Sequence, residues 1–579
     1  MILKALYDYY DRCGDDVAPL NMAYVNFYYA IVISENGDFL GLEKLGENGL
    51  PILTFRPEER TSSPVAHCMG DNGSYVLGLK ELKDETKIEE EFKKNIKNHS
   101  AFVKSINDVF YKLPDNKYVK AIHSFYQKYD SKVRRAILEN SNWIDFSKCL
   151  QRNITFRIKG DRKLAVEQND IITERIRSTE NNNSEKVCLI TGKTGKPVDT
   201  TYNTFIVGGK SNGKLVSFQI SSGYDSYGKE KGLNATISEE AEFKYTTALL
   251  KMLARDSRNK FMIGDRTFLF WASSNSDACK EAEASLFDFL GFADVDKDNP
   301  NTRIEQVRKV FRSIYSGILK SNSKDKFYIL GLAPNAARIA VVYWSETTLK
   351  DFACMIIRHF DDMEIIDTRQ NKRPYFGLKD ILGAVTLGGK HTDATPNLPD
   401  AVVKSIFQGL PYPQTLYASA IRRIRAEQEV APYGNPCRIA IIKAYLNRLN
   451  NNNIKIKVML DKENTNQGYL CGRLFAVLDK IQQDANHINS IQERYMNSAS
   501  ATPATVFATI LNLSSHHSEK LNEGARIFYE KLKQEIISKL PADGFPTHLD
   551  LQDQGRFFVG FYHQRQDLFT SKKDENITE

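Results

Sequence analysis

The chain has 579 residues, 41% of them hydrophobic and 26% charged, which is ordinary for a folded, water-soluble protein and too long for one core. Its formal charge is +7, unevenly spread: from Met459 onward 13 Lys and Arg face 16 Asp and Glu, a balance of −3, so residues 1–458 carry +10. This excludes a strongly acidic chain and suits a cationic, polyanion-binding body joined to a mildly acidic, protein-binding C-terminal part.

Residues 2–12 read as a short helix with Ile2, Leu3, Leu6, Tyr9 and Tyr10 on one face. Tyr24 to Ile33 is a β-branched and aromatic run, and Asn36-Gly37 before Phe39 to Leu42 predicts a tight hairpin with positive φ at both turn residues. Pro51 to Phe55 reads as another strand, and Asp71-Asn72-Gly73-Ser74 is a turn before the apolar run 75–79. Glu81 to Glu139 is helical and strongly charged. Asn153 to Ile220 reads as β-rich, with a strand at 187–191 and a hairpin at Gly208 to Phe218.

A capping box, Thr236-x-x-Glu239, predicts the start of a helix running to about Ala254. Strands are expected at 268–271, 327–330 and 339–344, with helix over most of 280–319. After Asp351 the pattern is mostly helical, broken by Gly388-Gly389 and Pro411-Tyr412-Pro413. Beyond the linker-like tract 450–453, helices are predicted over 468–489, 503–513, 519–540 and 555–568, followed by a polar, frayed tail. The expected class is α+β: mixed regions at 1–150 and 151–350, a helical connector at 351–458, and an all-helical bundle at 459–579.

The eight cysteines form no CxxC pair, which argues against a disulfide framework or zinc ribbon and for reduced thiols in the cytoplasm. The opening residues lack an apolar signal core, and no run of about eighteen apolar residues suggests a membrane span.

Catalytic motifs are weak. Gly208 to Lys214 meets the GxxxxGK spacing, but Leu215 stands where a hydroxyl must hold magnesium, and a strand rather than a helix is expected to follow. His359, Asp361 and Asp362 hint at a metal-dependent nuclease without a partner cluster. Asp294, Asp296 and Asp298 read as a solvated acidic turn, and His516-His517 lacks the HExxH spacing. The expectation is a non-enzyme with no metal and no cofactor.

Binding signals are stronger. Residues 221–258 set Tyr224, Tyr227, Gly228, Lys229 and Lys231 in one loop ahead of a helix, combining stacking faces, open backbone and cations. Asn335 and Arg338 are the polar groups of a small-residue turn between two strands, read either as a capped turn or as a phosphate contact. Arg422 and Arg425, three apart on one helix, with Arg438, Lys443 and Arg448 on the next, read as a solvated surface or a phosphate track.

MILKALYDYY (1–10), FLGLE (39–43), DNGSYVLGL (71–79), CLITG (188–192), FQISSGYDSYGKEKGLNATISEE (218–240), YTTALLKMLARDSRN (245–259), FYILGLAPNAARIAVVYW (327–344), GRLFAVLDKIQ (472–482) and ASATPATVF (499–507) occur in this order. The sequence resembles, over nearly its whole length, the large subunit of the type I-C CRISPR Cascade surveillance complex, the Cas-eight family, subtype c. The resemblance implies a non-catalytic subunit at the 5′ end of a CRISPR guide RNA, touching the backbone and guide-processing subunits. It implies recognition of a short PAM in double-stranded target DNA, duplex opening to form the R-loop, and docking of a helicase-nuclease, with no membrane partner. It also implies that the C-terminal bundle is equivalent to the small subunit of other Cascades and is translatable from an internal start. Met459 is placed for that start, its alternative being a core methionine on a strand.

Asn72, Gly73 and Ser74 are candidates for PAM contact, against an Asx-turn reading of Asn72. The loop holding Tyr224, Tyr227, Gly228, Lys229 and Lys231 is the candidate for gripping or wedging the duplex, against core packing of Tyr227. After CLITG the family pattern leads one to expect histidine or further basic residues. Lys196-Pro-Val-Asp199 stands there instead, which weakens any guide contact by that loop. A basic RNA-binding scaffold without PAM reading remains the alternative function.

Overall fold

The computed structural model describes residues 2–60, 64–82, 84–178, 184–218, 225, 227–290, 302–336, 338–367, 376–427, 435–449, 455–488 and 490–569. Tyr224, the acidic turn 294–298, the tract 450–453 and the tail from residue 570 lie outside the described residues. The chain forms two compact units, each with its own hydrophobic core. The first takes Met1–Phe205, Gly209–Ala254 and Asn335–Ile339; the second takes Ile206–Gly208, Arg255–Pro334 and Ala340–Glu579. The class is α+β, as expected.

In the first unit, helix α1 (Ile2–Cys13) precedes strands β1 (Met22–Ile33), β2 (Phe39–Lys44), β3 (Leu50–Phe55) and β4 (Gly70–Asn72). The helices that follow α1 among the described residues of this unit, before its last long one, are α2 (Gly73–Val76), α3 (Ile88–Lys94), α4 (Ile96–Lys112), α5 (Lys117–Lys128), α6 (Ser131–Leu138), α7 (Trp143–Ser147) and, after strand β5 (Asn153–Ile158), α8 (Asn169–Ser178). β1 is the axis of the sheet. Its first half pairs antiparallel with β3, its second half antiparallel with β2, and it also pairs parallel with β5, which carries β4 beyond it.

The β1–β2 turn closes at Ser34 and Asp38, but only Gly37 is left-handed (φ 82°), and the register shifts between Val32 and Ile33. Asn36 does not take positive φ, so the turn is not the two-residue form expected. Gly37 is also required by packing: a Cβ there would stand 2.7 Å from Ala121 O and overlap Phe125 N on α5.

The stretch 153–220 departs from expectation. Among its described residues it contains α8 and, after β5, the two short strands β6 (Lys186–Val187) and β7 (Thr194–Gly195). The hairpin at 208–218 does not form, since neither Asn212 nor Gly213 is left-handed. Gly213 N closes a local turn on Lys210 O at 2.9 Å, and further partners are non-local: Thr204 N donates to Gly213 O at 2.7 Å, and Lys214 forms a bridge with Arg338. Helix α9 (Glu239–Leu253) starts after Ser238, whose hydroxyl accepts from Ala241 N; Thr236, the expected cap, donates to Val187 O. The cap thus falls two residues later than the sequence pattern places it.

The second unit carries a sheet of β8 (Lys260–Ile263), β9 (Arg266–Ala272), β10 (Lys326–Asn335) and β11 (Arg338–Thr348) in the order β11-β10-β9-β8. One face packs aromatic rings, with Phe261 stacked on Phe268 at 4.9 Å and Phe327 on Phe352 at 4.1 Å. The helices are α10 (Asp277–Phe289), α11 (Thr302–Ser316), α12 (Leu349–Met363), α13 (Leu378–Ala384), α14 (Leu398–Phe407), α15 (Gln414–Glu427) and α16 (Pro436–Arg448). The C-terminal helices are α17 (Gln467–Asn486), α18 (Ser490–Ala499), α19 (Pro503–Ser518), α20 (Glu523–Ile537) and α21 (Leu551–Phe569). Helix α18 fills a gap the sequence pattern left open. Among the described residues no helix is long and apolar enough to cross a membrane. The eight cysteines are free thiols.

Candidate nucleic-acid interface

The loop 225–234 is held by its own polar groups. Asp225 Oδ1 accepts from Lys231 N at 3.2 Å and from Asn234 Nδ2 at 3.1 Å, and Asn234 Nδ2 also donates to Lys229 O at 2.9 Å. Among its described residues Tyr227 (φ 55°), Gly228 (φ 67°) and Lys231 (φ 46°) are left-handed. For a tyrosine and a lysine that conformation costs of order 1 kcal/mol each, so the surrounding contacts must impose it. Tyr227 is 98% exposed. Its ring is presented to solvent, which overturns the core-packing alternative.

The base of the loop is pinned by the segment after CLITG. Gly232 N donates to Asp199 O at 3.0 Å, and a Cβ at Gly232 would overlap Val198 O. Val198 N donates to Ile237 O, and Glu239 N donates to Lys196 O. Lys196 to Asp199, where histidine or further basic residues were expected, therefore supports the loop and the start of α9 through its backbone.

Beside this loop lies an open cleft of about 260 Å³ lined by Lys214, Ser217, Asp225, Lys231, Asn234 and Arg338, among others. It brings together Lys231 and Arg338, which come from separate stretches of the chain, the loop before α9 and the turn at the start of β11. Arg338 is exposed and Ile339 N donates to Lys214 O at 3.2 Å, so the bridge to Lys214 sets where Arg338 stands. Asn335 is exposed on the same turn, next to left-handed Ala336. Lys214 is the cation that sequence reasoning had set aside with the failed phosphate loop. Its Nζ pairs with Glu59 at 2.7 Å, which moderates the positive character of the cleft. Gly228 and Lys229 are exposed.

Asn72, Gly73 and Ser74 do not line that cleft. Asn72 caps α2: its Oδ1 accepts from Ser74 N at 3.1 Å and Ser74 Oγ at 2.6 Å, so the Asx-turn reading holds. Both lone pairs of Oδ1 are occupied, which leaves the Nδ2 donors as the half of the amide able to meet a base edge. Gly73 and Ser74 are buried beneath it. Asp71, fully buried, braces the turn by accepting from Asn72 N at 2.7 Å, from His67 N at 2.9 Å and from Arg60. Burial pushes the His67 imidazole below its ordinary value, so it stands neutral near pH 7.

In the second unit the arginine stripe does not form a track. Arg422 is exposed and donates to Ser419, whereas Arg425 is half-buried and donates to Ser500 Oγ at 3.1 Å. Arg438, Lys443 and Arg448 are buried and paired internally, Arg438 with Glu427 and Arg448 with Asp362 at 2.6 Å, while Lys443 donates to Asp361 O. A phosphate cannot reach those three, which corrects the wider track reading.

The nuclease cluster is likewise dispersed. His359 is buried with Nδ1 2.6 Å from Tyr412 Oη, Asp361 pairs with Arg308, and Asp362 with Arg448. Among the described residues no group of three His, Cys, Asp or Glu could hold a metal ion. Met459 lies in a bend and is 57% exposed, so it is not a core methionine on a strand.

No curated protein matches the sequence. Residues 6–569, nearly the whole chain and including both the cleft and the Asn72 turn, match the family described as CRISPR-associated protein (Cas_Csd1). The chain therefore belongs to the Csd1 family of CRISPR-associated proteins.

Proposed function

We propose that this protein is the non-catalytic large subunit of a type I-C, Cascade-type, RNA-guided surveillance complex. In this reading it recognises the PAM in double-stranded target DNA, helps open the duplex, and supports recruitment of a helicase-nuclease. Family membership supports the CRISPR setting. The observation that carries the nucleic-acid reading is the cleft itself: Lys231, Arg338 and Lys214 gathered beside a loop that spends backbone energy to hold Tyr227 in solvent. Exposed aromatics stack on unpaired bases, and cations beside them track the backbone. Asn72 supplies donors on a rigid turn, suited to the acceptor edges of a base pair.

The test is duplex binding by the complex assembled with its guide. Tyr227→Ala is expected to weaken R-loop formation about tenfold, the equivalent of about 1.4 kcal/mol of lost stacking, while guide assembly is unchanged. Asn72→Ala is expected to reduce the preference for PAM-bearing over PAM-free duplex. Wild-type behaviour from both variants would overturn the reading. The rival reading, a basic RNA scaffold without PAM recognition, draws on the same cations and gains from the internal commitment of Asn72 Oδ1. It predicts no sequence preference in duplex binding by the wild type.

A further inference from the structure

The segments that fix Asn72 also build a second cationic surface. Asn72 on β4 lies opposite Asn153 on β5, and Gly73 N donates to Leu150 O at 2.6 Å. Leu79 N donates to Gly73 O at 3.0 Å. Residues 79–80 and 150–153 are thus tied to the Asn72 turn through backbone, which keeps their spacing from it constant. On these segments, and on the last turn of α7, Lys80, Ser147, Lys148, Gln151 and Arg152 line an open, polar pocket of about 480 Å³, with Glu81 as the acid in its wall.

The cations there are available. Lys80 and Arg152 are exposed and make no ion pair among the described residues; Arg152 lies over the Tyr28 ring at 5.4 Å. Lys148 pairs with Asp145 at 2.9 Å, but both side chains are about two-thirds exposed (68% and 66%), so the pair is weak and readily exchanged. Three cations against Glu81 and the exposed Asp145, with the Gln151 amide in the same lining and no apolar side chain in it to bury a hydrophobic ligand, fit a string of phosphates.

We propose that Lys80, Lys148, Gln151 and Arg152 clamp the phosphodiester backbone of the duplex whose base edges meet Asn72. They act as positioning residues: phosphate contacts set register and orientation, and the amide then reads the base pair brought to it. This rests on the PAM-reading proposal above and adds the site that would hold the DNA in place for it.

The experiment uses the full chain and labelled short duplexes with randomised flanks, with single-stranded RNA of equal length as the second probe, titrated by anisotropy between about 50 and 200 mM salt. Lys80→Gln/Lys148→Gln/Arg152→Gln is expected to weaken duplex binding by a similar factor for every flank. It should also flatten the slope of log affinity against log salt by about 0.9 per lost phosphate contact. Asn72→Ala should change the ranking of flanks and leave the slope alone. Arg152→Gln by itself should flatten the slope by about 1, which keeps the test valid should the triple variant melt early. An unchanged slope in these variants overturns the clamp while wild-type flank preference leaves PAM reading standing. A flattened slope without any wild-type flank preference keeps the clamp and removes PAM reading. A change confined to single-stranded RNA overturns the assignment to duplex.

Discussion

At the residue scale, glycine and tyrosine positions carry opposite costs. Gly73 is buried, and a Cβ there would stand 2.6 Å from Leu79 O and 2.9 Å from both Leu150 O and Leu150 Cδ2. Two of those neighbours are backbone and cannot rotate away. Gly73→Ala should therefore destabilise the first unit by about 1–3 kcal/mol, read as a lower thermal midpoint, and should shift Asn72 as it does so. Tyr227 is the reverse case: it is left-handed and buries nothing. Tyr227→Gly relieves the backbone cost, partly offset by the greater freedom of glycine in the unfolded chain, so the midpoint should stay level or rise slightly while nucleic-acid binding falls. A lower midpoint would mean that the ring supports the fold. The Asx turn at 71–74 is legible in the string Asp-Asn-Gly-Ser, because its hydrogen bonds are local. The exposure of Tyr227 is not, because tyrosine occurs equally well in cores, and the loop stands where the Asp225 and Asn234 hydrogen bonds and Gly232 lodged against Val198 put it.

At the element scale, α17 and α21 show how closely two helices approach when side chains are removed. A Cβ on Gly472 would overlap Phe557 O, one on Gly560 would overlap Tyr469 O, and one on Gly468 would overlap Asp553 O. Backbone therefore touches backbone along the pair, and buried polar groups fill the flanks: Tyr469 Oη lies 2.9 Å from His563 Nδ1, Arg473 Nε donates to Gln564 at 3.0 Å, and Arg565 pairs with Asp479. Gly472→Ala should cost about 1–3 kcal/mol by forcing the helices apart, and Gly472→Leu more, measured by denaturant unfolding of the full chain. A neutral Gly472→Leu would show that the helices can separate freely. Helical periodicity announces both helices, yet it does not announce their pairing, since glycine reads as a helix breaker until a partner backbone is known. Similarly, the strand-like residues at 208–218 close a short local turn, Gly213 N donating to Lys210 O at 2.9 Å, but take their strand-like pairing from Thr204 and Arg338 rather than from each other, so hairpin chemistry was a poor guide there.

At the scale of the whole molecule, three histidines held neutral in the two cores make stability depend on acidity. Burial pulls His99 down to about 4 and His563 down to about 3, and His359 well below its ordinary value. Each ring is packed against aromatic neighbours and hydrogen-bonded: His99 to Tyr75 O, His359 to Tyr412 Oη, and His563 to Tyr469 Oη. The unfolded chain protonates these rings near pH 6.5, whereas the folded chain does not until far lower pH. Between those limits the unfolded state binds more protons, so stability is fully present above about pH 6.5 and is lost as pH falls. Each histidine contributes a slope of about 1.4 kcal/mol per pH unit below that point. Thermal midpoints measured from pH 7.5 to pH 5 should therefore hold level and then drop, and the drop should resist added salt because these groups are shielded from solvent. His563→Asn removes one proton from the balance; its midpoint should start lower at pH 7.5 and decline less steeply. Because His99 belongs to the first unit and His359 and His563 to the second, substitutions in either should flatten the decline independently. A decline equally steep in His99→Asn and His563→Asn would place the acid sensitivity elsewhere in the molecule.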